Sequence, residues 1–194
     1  MIILGITGPT GAGKTTVSRI FSDNGIKVID TDITAREITA PGKPALSELA
    51  ECFGEKILTN GALNRAALAK IAFSDKDALL KLNKITHKYI TEEVLAEINS
   101  YEGDIIGVDG AVLIESGISK LCTRVLCVLA DEETRKKRIM KRDSISASDA
   151  DLRISSQKNN SFYIENSDYI VYNNDRDDLQ KQAEKVINEL RSTV

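Results

Sequence analysis

The sequence predicts an α/β protein, a doubly wound five-stranded parallel sheet carrying an inserted helical lobe and a lid. Short apolar runs alternate with helical patterns along the chain, the order that places helices over both faces of a parallel sheet. Several of those runs are continuously apolar, as strands covered on both faces are. The stretch between the second and third runs is too long for a simple crossover.

The first strand is expected over Ile2–Thr7 and a helix over 14–24, with Val17, Ile20 and Phe21 at helical spacing. The second strand is expected over Lys27–Asp30. Residues 34–101 then show helix patterns and no convincing strand. Pro41-Gly42-Lys43-Pro44 marks the entry to this lobe, and Thr59-Asn60-Gly61 splits it. Its longest pattern, 77–99, sets Leu82, Ile85, Ile90, Val94, Leu95 and Ile98 in one apolar stripe. Further strands are expected at 104–109, 124–130 and 169–173. The closing helix carries Leu179, Ala183, Val186, Ile187 and Leu190 on one face. The 194 residues thus read as a single domain: a core of 1–33 and 102–194, a lobe of 34–101 and a lid at 131–160.

Composition narrows the function classes. Apolar residues make up 42% and charged residues 28%, which excludes a disordered chain or a disulfide-dense miniprotein. A net charge of −3 argues against bulk nucleic-acid binding. No apolar run approaches the ~20 residues of a membrane helix, and no basic region precedes the first apolar stretch. No membrane partner and no secretory leader are therefore expected. Cys52, Cys122 and Cys127 lack zinc spacing and read as small buried hydrophobes in a reducing cytoplasm. Oligomeric state is left open.

The chemistry begins at Gly8-Pro9-Thr10-Gly11-Ala12-Gly13-Lys14-Thr15, which fits GxxxxGK[ST] between a strand and a helix. Glycines let the loop turn its amides inward, and the helix adds its unpaired N-terminal N–H groups. Lys14 can reach β and γ phosphates, and the Thr15 hydroxyl suits Mg²⁺. The candidate triphosphate-binding residues are Gly8, Thr10, Gly11, Ala12, Gly13, Lys14, Thr15 and Thr16.

A guanine-reading switch would carry Asn-Lys-x-Asp at a strand end. Here the fifth strand ends Tyr172-Asn173-Asn174-Asp175, without the lysine. A phosphotransferase fits better. The second strand runs out at Val28-Ile29-Asp30-Thr31-Asp32, where strand C-termini face the ligand crevice. A carboxylate there could take a proton from an attacking hydroxyl, or it could cap the following helix. Asp109 ends the third strand similarly; it suits a Mg²⁺ hydration shell or simply starts the turn at Gly110. Six of the eight residues from Arg135 to Arg142 are basic. Arg135, Arg138 and Arg142 share one helical face, the arrangement of a lid closing over polyphosphate, although solvated basic faces are also common.

Taken together these residues resemble the dephospho-coenzyme A kinase family. The resemblance runs from Ile6-Thr7-Gly8 through Val28-Ile29-Asp30-Thr31-Asp32, Leu63-Asn64-Arg65, Leu82-Asn83 and His87. It continues through Leu113-Ile114-Glu115-Ser116-Gly117, the run Arg138 to Asp143, Arg153 with Gln157, and Ser167-Asp168-Tyr169-Ile170 ahead of Asn173-Asn174. It implies a P-loop kinase that uses ATP and Mg²⁺ to phosphorylate the ribose 3′-hydroxyl of dephospho-coenzyme A. By the same resemblance Asp32 is the general base, Arg138 the lid arginine on the transferring phosphate, and Arg142 its neighbour on ATP. Asn64, Arg65, His87 and Asp32 face the acceptor, and Thr15 with Asp109 serves the metal. Preference for ATP over GTP rests on resemblance alone. Many relatives carry His-Pro where this chain has His87-Lys88, and a proline where it has Ala111. The alternatives are a kinase of the same architecture acting on another nucleoside, nucleotide or small alcohol, and a nucleotide-dependent switch.

Overall fold

In the computed structural model, which describes residues 1–194, the continuously apolar runs are the buried strands of one sheet. Strands β1 (Ile2–Thr7), β2 (Lys27–Asp30), β5 (Ile105–Asp109), β6 (Arg124–Leu129) and β7 (Tyr169–Tyr172) lie in the order β2-β5-β1-β6-β7. β1 pairs in parallel with β5 and β6, and β6 with β7. Each strand falls within one residue of its expected ends. Every residue of β5 is buried, and in β6 only Arg124 is exposed, so neither strand has a solvent face to show as alternation.

Two helices, α1 (Lys14–Asp23) and α9 (Leu179–Arg191), close one face. Val17 and Phe21 of α1 meet Ala183, Val186, Ile187 and Leu190 of α9 over Leu4, Ile6, Leu126 and Val128. Each of the larger side chains contributes about 1.5–3 kcal/mol by leaving water. After β6 the chain forms α6 (Glu132–Asp143), α7 (Ala147–Ser155) and α8 (Asn160–Glu165). These elements make one compact unit, Met1–Ile29 with Tyr101–Val194. No helix of the chain is long and apolar enough to cross a membrane.

The second unit, Asp30–Ser100, holds α2 (Thr31–Glu37), α3 (Pro44–Phe53), α4 (Arg65–Ala72) and α5 (Lys76–Asn99). Local chemistry sets their starts. Pro44 opens α3, Asn64 caps α4 through the Ala67 amide, and Asp75 caps α5 through the amides of Asp77 and Ala78. Leu49, Phe53, Ile57, Leu68 and Ile85 form its core, while Cys52, expected to be buried, is exposed because it leaves α3 to the side of the face that carries Leu49 and Phe53.

This unit also contains strands where none is expected. β3 (Leu58–Thr59) and β4 (Ala62–Leu63) pair antiparallel around Asn60 and Gly61, both at positive φ. That is the turn an Asn-Gly hairpin favours. Strands of two residues are too short to carry an alternation, so only their turn is visible in the sequence.

Candidate active site

The loop after β1 brings its glycines close to neighbouring segments. Gly8 has φ +151°, and a Cβ there would lie 2.3 Å from the Val128 carbonyl oxygen of β6. Gly13 has φ +102°, caps α1, and leaves space for Asn173: a Cβ there would lie 2.0 Å from Asn173 Nδ2. The Asn173 amide uses that space to donate to the Ala12 carbonyl at 2.7 Å. The Ala12 amide donates back to Pro9, curling the loop. The Gly13 carbonyl accepts from Thr16 and Val17, so the Lys14 and Thr15 amides stand at the open end of α1 without intrahelical acceptors.

Lys14 reaches across to the end of β5. Its Nζ pairs with Asp109 Oδ1, while Ser18 Oγ donates to Asp109 Oδ2 at 2.6 Å. Asp109 is only 5% exposed, so its charge is compensated on both oxygens. Ser18 lies one turn after Lys14 on the same helix face, which is how one helix supplies both donors. Thr15 is exposed, and its hydroxyl makes no hydrogen bond within the protein. The Thr7 hydroxyl at the end of β1 is buried without a partner. The hydroxyl and carboxylate groups of this region are hard oxygen donors, with no thiol or imidazole among them, a set that fits Mg²⁺.

The basic helix departs from the sequence expectation. Arg135 is 3% exposed and does not point with Arg138 and Arg142 toward a common anion. Its Nε donates to the Thr10 carbonyl at 2.9 Å and its Nη2 to Gln157 Oε1 at 3.0 Å. Gln157 Oε1 also accepts from the Thr10 amide at 2.9 Å. Burial pushes the Arg135 pKa down from its ordinary value. Arg138 Nη1 lies 3.4 Å from the Gly11 carbonyl and 3.5 Å from that of Ala12, at the rim of the loop. Arg142 grips Asp143 in a fork, Nε to Oδ1 at 2.8 Å and Nη2 to Oδ2 at 2.9 Å, and Arg153 joins the same carboxylate. The Arg142 hydrogen bonds hold the Asp143 carboxyl below its ordinary pKa. Helical spacing gives these arginines one face but not one depth: the first meets the loop, the second its edge, the third solvent.

In the second unit the two carboxylates near β2 divide their roles. Asp30 is the cap of α2, its Oδ1 accepting from the amides of Asp32 at 2.8 Å and Ile33 at 3.2 Å. Asp32, in the first turn, is exposed and its carboxylate has no protein partner. The strand does not persist to Asp32, so the helical turn rather than strand alternation sets its direction. Asn64 spends its carbonyl on the α4 cap and donates to Thr59 Oγ1 at 3.2 Å. Arg65 Nη2 donates to Thr39 Oγ1 at 2.8 Å, and Thr39 donates to Ala35 of α2. Arg65 is thereby fastened to the end of the helix that begins beside Asp32. His87 is half-buried in α5, and desolvation lowers its pKa. Lys88 continues α5 without a kink, pairs with Glu48 at 3.1 Å and lies 4.5 Å from the centre of the Tyr89 ring.

A model of the dephospho-CoA kinase family matches residues 2–178. The chain belongs to that family. A dephospho-CoA kinase of Corynebacterium glutamicum is 38% identical and is covered, like this chain, over 100% of its length. A dephospho-CoA kinase structure from Campylobacter jejuni superposes with a TM-score of 0.73 at 27% identity, covering 99% of this chain and 98% of its own. A crystal structure of a Thermus thermophilus protein gives a TM-score of 0.85 at 27% identity, covering 97% and 96%. The family expected from the loop, the Val28–Asp32 segment and the lobe residues is thus the one found.

Three residues of this dephospho-CoA kinase site carry no assigned role in the sequence reading: Ser18, Gln157 and Asn173. Ser18 was legible in part, four residues after the motif lysine on a helix. Gln157 and Asn173 stand among the residues that carry the family resemblance, but nothing local shows that both reach back to the loop.

Proposed function

We propose that the chain transfers the γ-phosphoryl group of ATP to the ribose 3′-hydroxyl of dephospho-CoA, yielding coenzyme A. The observation that carries this reading is a fully formed phosphate loop, with its lysine held on a buried aspartate, in a chain matching the family over residues 2–178.

Catalysis on this reading is positioning and charge stabilisation along an in-line transfer. The Lys14 and Thr15 amides and the α1 dipole bind the phosphate oxygens. Lys14 exchanges its pairing with Asp109 for the β and γ phosphates, and Ser18 keeps one Asp109 oxygen fixed while the other is released. Thr15 and Asp109 would hold Mg²⁺, which would offset the negative charge of the phosphates. Asp32, free of any competing partner, takes the proton of the attacking hydroxyl. Arg138 moves from the loop rim onto the transferring group, and Arg142 leaves Asp143 for the nucleotide. Water would compete as acceptor, so closure of the 131–160 segment favours transfer to the sugar. Asn64, Arg65 and His87 line the acceptor side.

The test is incubation of the purified chain with ATP, Mg²⁺ and dephospho-CoA, with the site of phosphorylation read by phosphorus NMR. A 3′-phosphate that forms with wild-type chain and not with Asp32→Asn supports the reading. ADP release independent of dephospho-CoA, or phosphate elsewhere on the molecule, would overturn it.

A further inference from the structure

We infer that Arg135 and Gln157 are positioning residues for the donor nucleotide, a clamp that sets two successive peptide planes of the phosphate loop. This rests on the reading of the loop as the ATP site. Both main-chain polar groups of Thr10 are taken by these side chains: the carbonyl by Arg135 Nε, the amide by Gln157 Oε1. A third bond, Arg135 Nη2 to Gln157 Oε1, closes the ring. The amide lies in the Pro9–Thr10 plane and the carbonyl in the Thr10–Gly11 plane. Fixing both fixes the direction in which the following loop amides face, because each peptide carries its donor and acceptor on opposite sides.

The positions of the two residues add a second argument. Arg135 lies in the first turn of α6, and Gln157 lies just past α7. Between them run residues 136–156, which include Arg138, Arg142 and the Asp143 ion pairs. Entry and exit of the lid segment are therefore tied to one residue of the loop. Movement of the segment then swings Arg138 from the loop rim about an anchor that stays on the loop.

The chemistry is costly enough to need a purpose. Arg135 is almost wholly buried, and no carboxylate lies within ion-pair distance. A guanidinium buried without a counter-charge is expensive unless its protons are hydrogen-bonded. Here a loop carbonyl and a side-chain carbonyl serve.

The test uses Gln157→Ala, Gln157→Glu and Arg135→Lys in the full chain. ATP affinity is measured by calorimetry without acceptor, the Michaelis constants for both substrates by steady-state kinetics, and stability by thermal unfolding. Gln157→Ala removes the acceptor of two hydrogen bonds and is expected to weaken ATP about tenfold or more, one ordinary hydrogen bond alone being worth up to about tenfold. The Michaelis constant for dephospho-CoA is expected to stay within about twofold of wild type. Gln157→Glu, which keeps an acceptor for both donors, is expected to restore ATP affinity. Arg135→Lys, which keeps the charge but loses the fork, is expected to repeat the donor-only defect, and it decides the matter if Gln157→Ala does not fold. ATP affinity unchanged in Gln157→Ala, equal loss toward both substrates, or no rescue by Gln157→Glu would overturn the clamp. Calorimetry needs no turnover, so absence of dephospho-CoA phosphorylation in the wild type would reject the proposed reaction and leave the clamp still decided.

Discussion

Replacing Gly13 by alanine asks the loop to accept both a strained backbone and a lost partner, and the structure gives the size of each. At φ +102° an alanine costs about 1–2 kcal/mol relative to glycine. Its Cβ would stand 2.0 Å from Asn173 Nδ2, so the Asn173 side chain must swing away. That breaks its 2.7 Å bond to the Ala12 carbonyl, worth about 1 kcal/mol. The total is about 2–3 kcal/mol. If the free loop keeps its shape, the loss registers in unfolding; if it relaxes, the loss registers when ATP restores the shape. Urea unfolding and calorimetric ATP binding are therefore measured together. Asn173→Ala alone should cost about 1 kcal/mol, the same bond. The double variant should then be no worse than Gly13→Ala, a coupling of about 1 kcal/mol between the sites. Additive losses would show that Asn173 does not occupy the space the glycine leaves, and would refute the reasoning.

Gly8→Ala should destabilise more than Gly13→Ala, because its Cβ would meet the Val128 main chain of β6, which cannot swing aside; urea midpoints compare the two. Asp32→Asn should leave ATP affinity within about twofold and lower kcat by about 10²–10⁴, measured with dephospho-CoA as acceptor. Arg138→Ala should lower kcat more than it weakens ATP, and a loss confined to affinity would contradict a role on the transferring group. His87 has a pKa below its ordinary 6.5 because burial disfavours its charged form. The unfolded chain thus binds that proton first, so stability is full above pH 6.5 and falls as pH drops below it; His87→Gln should remove that component from the pH dependence of unfolding.

How far the sequence could be read follows from the range of the interactions involved. The central strands β5 and β6 are legible because burial on both faces writes itself as apolar runs, and the loop because its glycines and lysine are contiguous. The 58–63 hairpin escapes notice because two-residue strands have no period. The arginine helix shows the harder limit. A repeat of three and four residues reports which way a side chain leaves the helix, not what it meets there. Arg135 meets a carbonyl supplied 125 residues earlier, and Arg142 meets its own neighbour. Asn173 reaches Ala12 across 161 residues and the width of two strands. Polar contacts of that span leave no pattern in either segment alone.

These long contacts have a common sense of direction, and that direction bears on why the loop binds an anion. Asn173 donates to the Ala12 carbonyl, Arg135 to that of Thr10, and Arg138 approaches those of Gly11 and Ala12. Every carbonyl in the sequence Thr10-Gly11-Ala12 is thus drawn toward a donor from β7's end or from α6. Because a peptide's N–H lies opposite its carbonyl, donors placed outside the loop turn the amides of Gly11, Ala12 and Gly13 away from them, and Ala12's folds back onto Pro9. Glycine makes this shape accessible, but it equally permits the inverted one. What selects the anion-binding form is the ring of donors behind it. Anion affinity in this loop should therefore respond to loss of the Asn173 amide, a side chain with no part in holding the phosphates.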